Sequence, residues 1–180
     1  NFDNILLTGA SGNSAYFFLK KLEKENFDKV IKVITRDKFK NSYFNQFKLK
    51  FKIFNGDIND KEFLSKSLTD IDLVLHTANI ENSQNIVEVG TEKKVKWFIL
   101  VHSTMVYSKH SSKRIENRKN IEKNIFKLNS NVTILSSSMV YGTSRDINMS
   151  RLIRFMDKFK IFPIFGNGQN YMQPIYIEDL

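Results

Sequence analysis

The sequence predicts an α/β protein, a doubly wound parallel sheet with helices on both faces. Three observations carry this. Short apolar runs rich in β-branched residues recur along the 180 residues. Polar, helix-compatible stretches separate them. The runs are apolar through their length instead of alternating, which suits strands buried on both faces. A hydrophobic content of 41% and a charged content of 26% are those of a globular chain, and at this length roughly 70% of the unfolded surface is buried on folding.

The elements follow in order. The first strand is Asn4–Thr8, succeeded by a glycine-bearing turn and a helix over 13–25. Val30–Thr35 is the second strand, with a helix over 39–48 after it, and Phe51–Phe54 the third, with a helix over 60–69. Asp72–His76 and Trp97–His102 form the fourth and fifth, each followed by a helix, over 84–93 and 115–128; Val132–Ser136 is the sixth. The pattern then changes. A helix near 148–159 precedes an irregular stretch from Phe162 to Gln173, and both prolines, Pro163 and Pro174, fall in this late part. Residues 1–145 therefore read as one domain and 146–180 as the beginning of a second region. The chain enters its first strand almost at once and stops on Ile177-Glu178-Asp179-Leu180 without a turn or cap, so it reads as a fragment.

Composition excludes several chemistries. Without cysteine there is no disulfide scaffold, thiolate nucleophile or iron–sulfur site. His76, His102 and His110 lack metal-ligand spacing, so no metal is expected. No apolar run approaches 18 residues and no leader-like segment opens the chain, so a cytoplasmic protein is expected. The net charge is +9, and residues 36–52 and 109–127 hold all of the positive excess. Such runs are solvated faces or cradles for anions: nucleotide phosphates, or nucleic acid.

The strongest motif is Leu7-Thr8-Gly9-Ala10-Ser11-Gly12-Asn13-Ser14-Ala15, at the junction of the first strand and first helix. Gly9 permits a tight turn, Gly12 lets backbone approach a pyrophosphate, and Ala15 lets helix pack on sheet. The helix N-terminus beyond offers unpaired N–H groups to a phosphate. A Rossmann-type dinucleotide fold follows, with Thr8, Gly9, Ser11, Gly12, Asn13 and Ser14 as cofactor-binding candidates; a structural turn without a ligand is the competing reading. The second strand ends in Arg36-Asp37. An acid there binds a ribose 2′-hydroxyl and an Arg accommodates a 2′-phosphate, so Arg36 favours NADP over NAD.

Taken in order, further matches make the chain resemble the short-chain dehydrogenase/reductase superfamily, in its extended and atypical branches with the nucleoside-diphosphate-sugar epimerases and dehydratases. Thr8-Gly9-x-x-Gly12-x-x-Ala15 is similar to TGxxGxxG, with Ala for the last Gly. Gly56-Asp57-Ile58 resembles Gly-Asp-Leu, and the resemblance puts Asp57 and Ile58 near the adenine. Asp72-Leu73-Val74-Leu75-His76-Thr77-Ala78 resembles the end of the fourth strand, with Thr77 and Ala78 beside the cofactor, and Asn85-Ile86-Val87 the helix start after it. In Phe98–Tyr107 the family's catalytic hydroxyl falls on Ser103, four residues before Tyr107. Thr133-Ile134-Leu135 with Val140-Tyr141-Gly142, Phe165-Gly166-Asn167-Gly168 and Pro174–Leu180 complete the series. Members continue further, which implies a truncated carboxy-terminal substrate lobe.

One departure matters. Active members carry Tyr-x-x-x-Lys on the helix after the fifth strand, where alignment on Glu122 places Arg114 and Arg118. A guanidinium stays charged and shuttles no proton. The literal match, Tyr16 to Lys20, lies on the wrong helix. His102 is the remaining proton-donor candidate near neutral pH, Ser103 a hydroxyl without a partner base, and Tyr107 a packing residue with room for a chemical role; strand-end histidines such as His76 and His102, both expected to point toward the cleft, are more often structural. The expected function is that of an NAD(P)-binding epimerase/dehydratase-like oxidoreductase or isomerase working by hydride transfer with a degenerate dyad. The alternatives are a non-catalytic NADP(H) sensor or scaffold and, behind it, a nucleic-acid binder. Expected partners are the dinucleotide, a small molecule such as a nucleotide sugar, and a second copy in a homodimer.

Overall fold

The computed structural model describes residues 2–180 apart from His110, Ser111, Asn129, Ser144, Arg145, Ile147, Asn148, Phe165 and Asn170, and for Phe39 and Lys40 the backbone alone. The expectations that touch His110, Phe165 and the first residue of the 148–159 helix lie outside the described residues. The chain divides into two compact units, residues 1–136 and 137–180.

Six strands form one parallel sheet: β1 (Ile5–Thr8), β2 (Val30–Thr35), β3 (Lys50–Asn55), β4 (Leu73–His76), β5 (Trp97–Ser103) and β6 (Val132–Ser137). Their spatial order is β3-β2-β1-β4-β5-β6. The winding reverses between β1 and β4, which pair in parallel from Ile5↔Leu73 to Thr8↔His76. A crevice opens at the carboxyl ends of two strands where such a reversal occurs.

The period-2 alternation of strand side chains sorts the core into two layers. Leu7, Ile31, Val33 and Leu75 face helix α1 (Asn13–Lys24), where Ala15 and Leu19 meet them. Leu6, Ile34, Val74, Phe98 and Leu100 face the other way, onto α2 (Lys61–Ser67), α3 (Ser83–Glu92) and α4 (Lys113–Ile125). Leu6, Leu7, Phe98 and Leu100 are fully buried, each worth about 1.5–3 kcal/mol relative to an exposed side chain.

Local chemistry sets the ends of these helices. Asp60 caps α2 by accepting from the Glu62 and Phe63 amides at 3.0 and 3.1 Å, and Ser112 caps α4 by accepting from the Ile115 amide. After α1, Asn26 takes φ +55 and turns the chain out of the helix.

The segment expected as a helix over 39–48 is instead a 3₁₀ stretch, Lys38–Gln46. The spacing of its inward residues explains the correction. Asn41, Phe44 and Phe47 recur every three residues, the 3₁₀ repeat; Phe44 and Phe47 are buried, and Asn41 exchanges two amide hydrogen bonds with Asn55 at 3.1 and 3.0 Å.

In the second unit, β7 (Val140–Tyr141) pairs in parallel with β8 (Ile175–Tyr176). Helix α5 (Met149–Phe159) begins where the Asp146 carboxylate accepts from the amide and hydroxyl of Ser150. It buries none of its described residues. Among the described residues no helix is long and apolar enough to cross a membrane, and no group of three His, Asp or Glu could hold a metal.

Candidate functional site

The candidates gather at the carboxyl edge of the sheet. Register puts Thr8 beside Ile34 on one side and His76 on the other, with Leu100 beside His76. The turn of residues 8–15, the Arg36 and Asp57 turns, Thr77-Ala78 and Ser103 thus leave from adjacent strand ends.

The glycine turn is clasped by the exit of β4. Gly9 takes φ +71, and a Cβ there would lie 2.6 Å from the Ala78 nitrogen and 2.7 Å from the Thr77 carbonyl carbon. The Thr77 hydroxyl donates to the Thr8 carbonyl at 2.9 Å, and its amide donates to the same oxygen at 3.1 Å. Within the turn, the Gly12 amide donates to the Gly9 carbonyl at 2.8 Å. Gly12 is the N-cap of α1 and has no side-chain oxygen to offer the helix amides. Ser11 and Gly12 are exposed, whereas Ala10 and Ala15 are buried. The turn therefore presents an uncapped helix N-terminus on an open surface.

Not every candidate side chain faces outward. Thr8 is buried, and its hydroxyl bonds His76 Nδ1 at 2.6 Å. Ile58 is a core residue against Leu6 and Ile34. Asp57 is exposed and turns its own loop, accepting from the amide and side chain of Asn59 at 2.9 Å each. Arg36 is exposed at the end of β2. Ser103 caps the short 3₁₀ turn Thr104–Tyr107 by accepting from the Met105 amide, and Tyr107 stands 71% exposed beyond it.

Both strand-end histidines are interior, which corrects the expectation that they face the cleft. His76 is 0% exposed. The Asn79 carbonyl, 3.1 Å from Nε2, can only accept, so Nε2 carries the proton and Nδ1 receives the Thr8 hydroxyl hydrogen. Burial, with a smaller push from His102, lowers its pKa to about 4 against the pull of the Asn79 carbonyl. The ring is neutral at pH 7. The His102 side chain is likewise fully enclosed, with Nε2 2.8 Å from Ser83 Oγ and Nδ1 2.8 Å from Glu122 Oε1. Burial lowers its pKa too, opposed by Glu122 and assisted by Arg118. Neither ring has a nitrogen left for a substrate. The physical reason is that the ring nitrogens are taken up by the turn after β4, which supplies the Asn79 carbonyl, and by Ser83 of α3 and Glu122 of α4.

Arg118 was expected at the position of the family's lysine. It lies within the buried stripe Ile115, Arg118, Ile121, Ile125 of α4. Its Nε donates to Glu81 Oε1 at 3.3 Å, and Arg114 Nε is 4.0 Å from the same oxygen. Sequence reasoning found neither the Glu81 partner nor the Ser83–His102–Glu122 chain. The signal that could have found the first is the interruption of the apolar stripe Ile115, Ile121, Ile125 by Arg118.

The strand order 3-2-1-4-5-6, with a glycine turn and an uncapped helix N-terminus at the reversal, defines a Rossmann-type dinucleotide-binding protein. Residues 9–137 match the model of the NAD(P)H-binding family, and the chain belongs to that family. It is 30% identical over 118 residues, 53% of this chain, to a UDP-N-acetylglucosamine 4,6-dehydratase (inverting) of Campylobacter jejuni subsp. jejuni serotype O:23/36 (strain 81-176). The match spans 35% of that enzyme's length. Among solved structures, MoeE5 in complex with UDP-glucose and NAD aligns with TM-score 0.70 at 17% identity, over 98% of this chain and 68% of that one. DesIV, a dTDP-glucose 4,6-dehydratase from Streptomyces venezuelae with NAD and DAU bound, aligns with TM-score 0.73 at 14% identity, over 97% of this chain and 68% of its own. These two likenesses are of fold.

Proposed function

We propose that this chain is the cofactor-binding part of an NAD(P)-dependent enzyme that acts on a nucleotide sugar, in the manner of a dehydratase or epimerase. The observation that carries the reading is the uncapped N-terminus of α1 behind Gly9, at the reversal between β1 and β4. The residues fit a dinucleotide. Among the described residues, a Cβ at Gly12 would meet within 4 Å only the Gly9 carbonyl oxygen, at 3.0 Å, so they leave the space above the turn open. The helix end supplies amides and a positive dipole end for a pyrophosphate. In this reading Gly9, Ser11, Gly12, Asn13 and Ser14 hold the pyrophosphate, Asp57 flanks the adenine with Ile58 backing it from the core, and Thr77 and Ala78 floor the site. Thr8 supports the turn from within. Arg36, exposed at the end of β2, would receive a 2′-phosphate, which favours NADP.

The bound nicotinamide would supply hydride transfer to or from a substrate carbon. The Ser103 hydroxyl would orient the substrate oxygen. Tyr107 would stand at the rim, where its phenol can touch the sugar. His102 would hold α3 against α4 and donate no proton. The sugar-nucleotide assignment extends to this chain what the Campylobacter jejuni relative is named for and what MoeE5 holds.

Calorimetric titration of NADP, NADPH and NAD into the protein tests the reading. Saturable binding of a dinucleotide, tighter for the NADP pair, is expected. No binding of any of them overturns it.

A further inference from the structure

Arg118 is a buried guanidinium whose hydrogen-bonding capacity is largely unspent. Its side chain is 8% exposed, yet its charged contact is one bond from Nε to Glu81 Oε1 at 3.3 Å. Its Nη1 rests 3.6 Å from Met105 Sδ, a weak acceptor. Among the described residues nothing accepts from Nη2. Glu81 is equally unmatched, because its Oε2 is buried and has no partner. A structural Arg–carboxylate pair gains most from the two-pronged fork, in which both oxygens and two N–H groups are used. Here the carboxylate meets the guanidinium by one edge and leaves the rest of the fork free.

The location gives this mismatch a use. Glu81 belongs to the 3₁₀ turn Ile80–Asn82 that follows β4, and Met105 to the turn that follows β5. β4 and β5 are neighbours in the sheet. The guanidinium that touches both therefore lies at the carboxyl edge between them, along the edge from the glycine turn. Arg114, one helical turn earlier on α4 and largely exposed, points its Nε at the same Glu81 oxygen from 4.0 Å. Two guanidiniums converge on one carboxylate, while Glu122, the other carboxylate of the neighbourhood, is taken up by His102.

We propose that Arg118 and Arg114 form a clamp for an oxyanion on the substrate, a carboxylate or a phosphate, and that Glu81 occupies the clamp until that anion displaces it. The assignment rests on the reading that substrate enters at this edge, and it adds that the substrate carries a negative charge near its reacting end. Arg118 supplies the fork, Arg114 a flanking charge, and Glu81 a built-in competitor that only an anion can replace.

The test titrates D-glucuronate, D-glucose 6-phosphate and D-glucose into the full chain, followed by amide and Arg Nε–H chemical shifts. At least one anion should bind while glucose does not, and the tighter anion identifies carboxylate or phosphate as the recognised group. Arg114→Gln, at an exposed position, should weaken that anion by about two- to fivefold. Glu81→Gln should tighten it by about tenfold, because an uncharged amide competes poorly for a guanidinium. Arg118→Lys keeps the charge, loses the fork and should abolish the anion-induced amide shifts while the amide spectrum stays that of a folded chain. Anions that bind no better than glucose, or affinities indifferent to both Arg114→Gln and Glu81→Gln, reduce the cluster to a structural ion pair and overturn the proposal. NADPH titrated in parallel separates the two readings, since Arg114→Gln leaves the cofactor turn intact. Anion binding without NADPH binding sinks the cofactor assignment alone, and the reverse sinks the clamp alone.

Discussion

Thr8 Oγ1 and His76 Nδ1 lie 2.6 Å apart, in a buried bond between the last residues of β1 and β4. These strands flank the reversal of the winding, and the bond fixes the edge from which both the glycine turn and the Thr77-Ala78 segment depart. The bond requires a neutral ring, because the Asn79 carbonyl claims the proton on Nε2 and Nδ1 must accept.

A first prediction follows for pH. The folded pKa of His76 is about 4, below its ordinary 6.5. Between those values the unfolded chain takes up a proton that the folded chain refuses, so stability is complete above pH 6.5 and falls as the pH drops toward 4. The loss amounts to roughly 3 kcal/mol at its fullest. The Asp72 carboxyl, held near 2 by Lys96 first and by the Asn4 and Asp3 amides, titrates below this window. Urea melts between pH 7.5 and 4.5 should show the decline, and His76→Asn should make it shallower, leaving the part that belongs to His102, whose pKa burial also lowers. A wild-type midpoint constant over that range would contradict the neutral-ring assignment.

The two glycines of the turn should part company on mutation. Gly9→Ala forces a side chain into φ +71 and against the Thr77-Ala78 backbone that follows β4, at 2.6 Å, a loss of about 2–4 kcal/mol seen as a large drop in melting temperature. Gly12→Val adds bulk on the open side. It should abolish dinucleotide binding in calorimetry with a much smaller change in melting temperature. Equal thermal losses in the two variants, or undiminished NADPH affinity in Gly12→Val, would contradict the assignment of the turn.

Arg36→Glu places an acid where a 2′-phosphate is expected. Affinity for NADP should fall by about tenfold or more, and that for NAD should change little. Comparable losses for both dinucleotides would remove Arg36 from that role.

His102→Ala should act on stability. It strips Ser83 and Glu122 of their partner and leaves the Glu122 carboxylate without its buried ring, a cost of about 2–4 kcal/mol. A variant as stable as the parent would return His102 to the list of candidate proton donors.

Much of the architecture was written in local pattern. The strands came within a residue or so of their observed ends because a strand covered on both faces must be apolar throughout. The glycine turn was legible because Gly9 and Gly12 sit where a strand hands over to a helix. The stretch after β2 was misread as an ordinary helix, since the three-residue spacing of Asn41, Phe44 and Phe47 identifies a 3₁₀ repeat only once the layer they pack into is known.

By itself, then, the sequence determined the alternation of strands and helices, the two-layer core and the turn at residues 8–15, all of which depend on the order of neighbouring side chains. Only the tertiary structure decided the polar wiring of the carboxyl edge. Thr8 meets His76 across 68 residues, Glu81 meets Arg118 across 37, and His102 is shared by Ser83 and Glu122, 19 and 20 residues away. A buried polar group takes whatever partner the packed strands and helices bring within 3 Å, and that distance is set by the fold as a whole, not by any stretch of neighbouring residues.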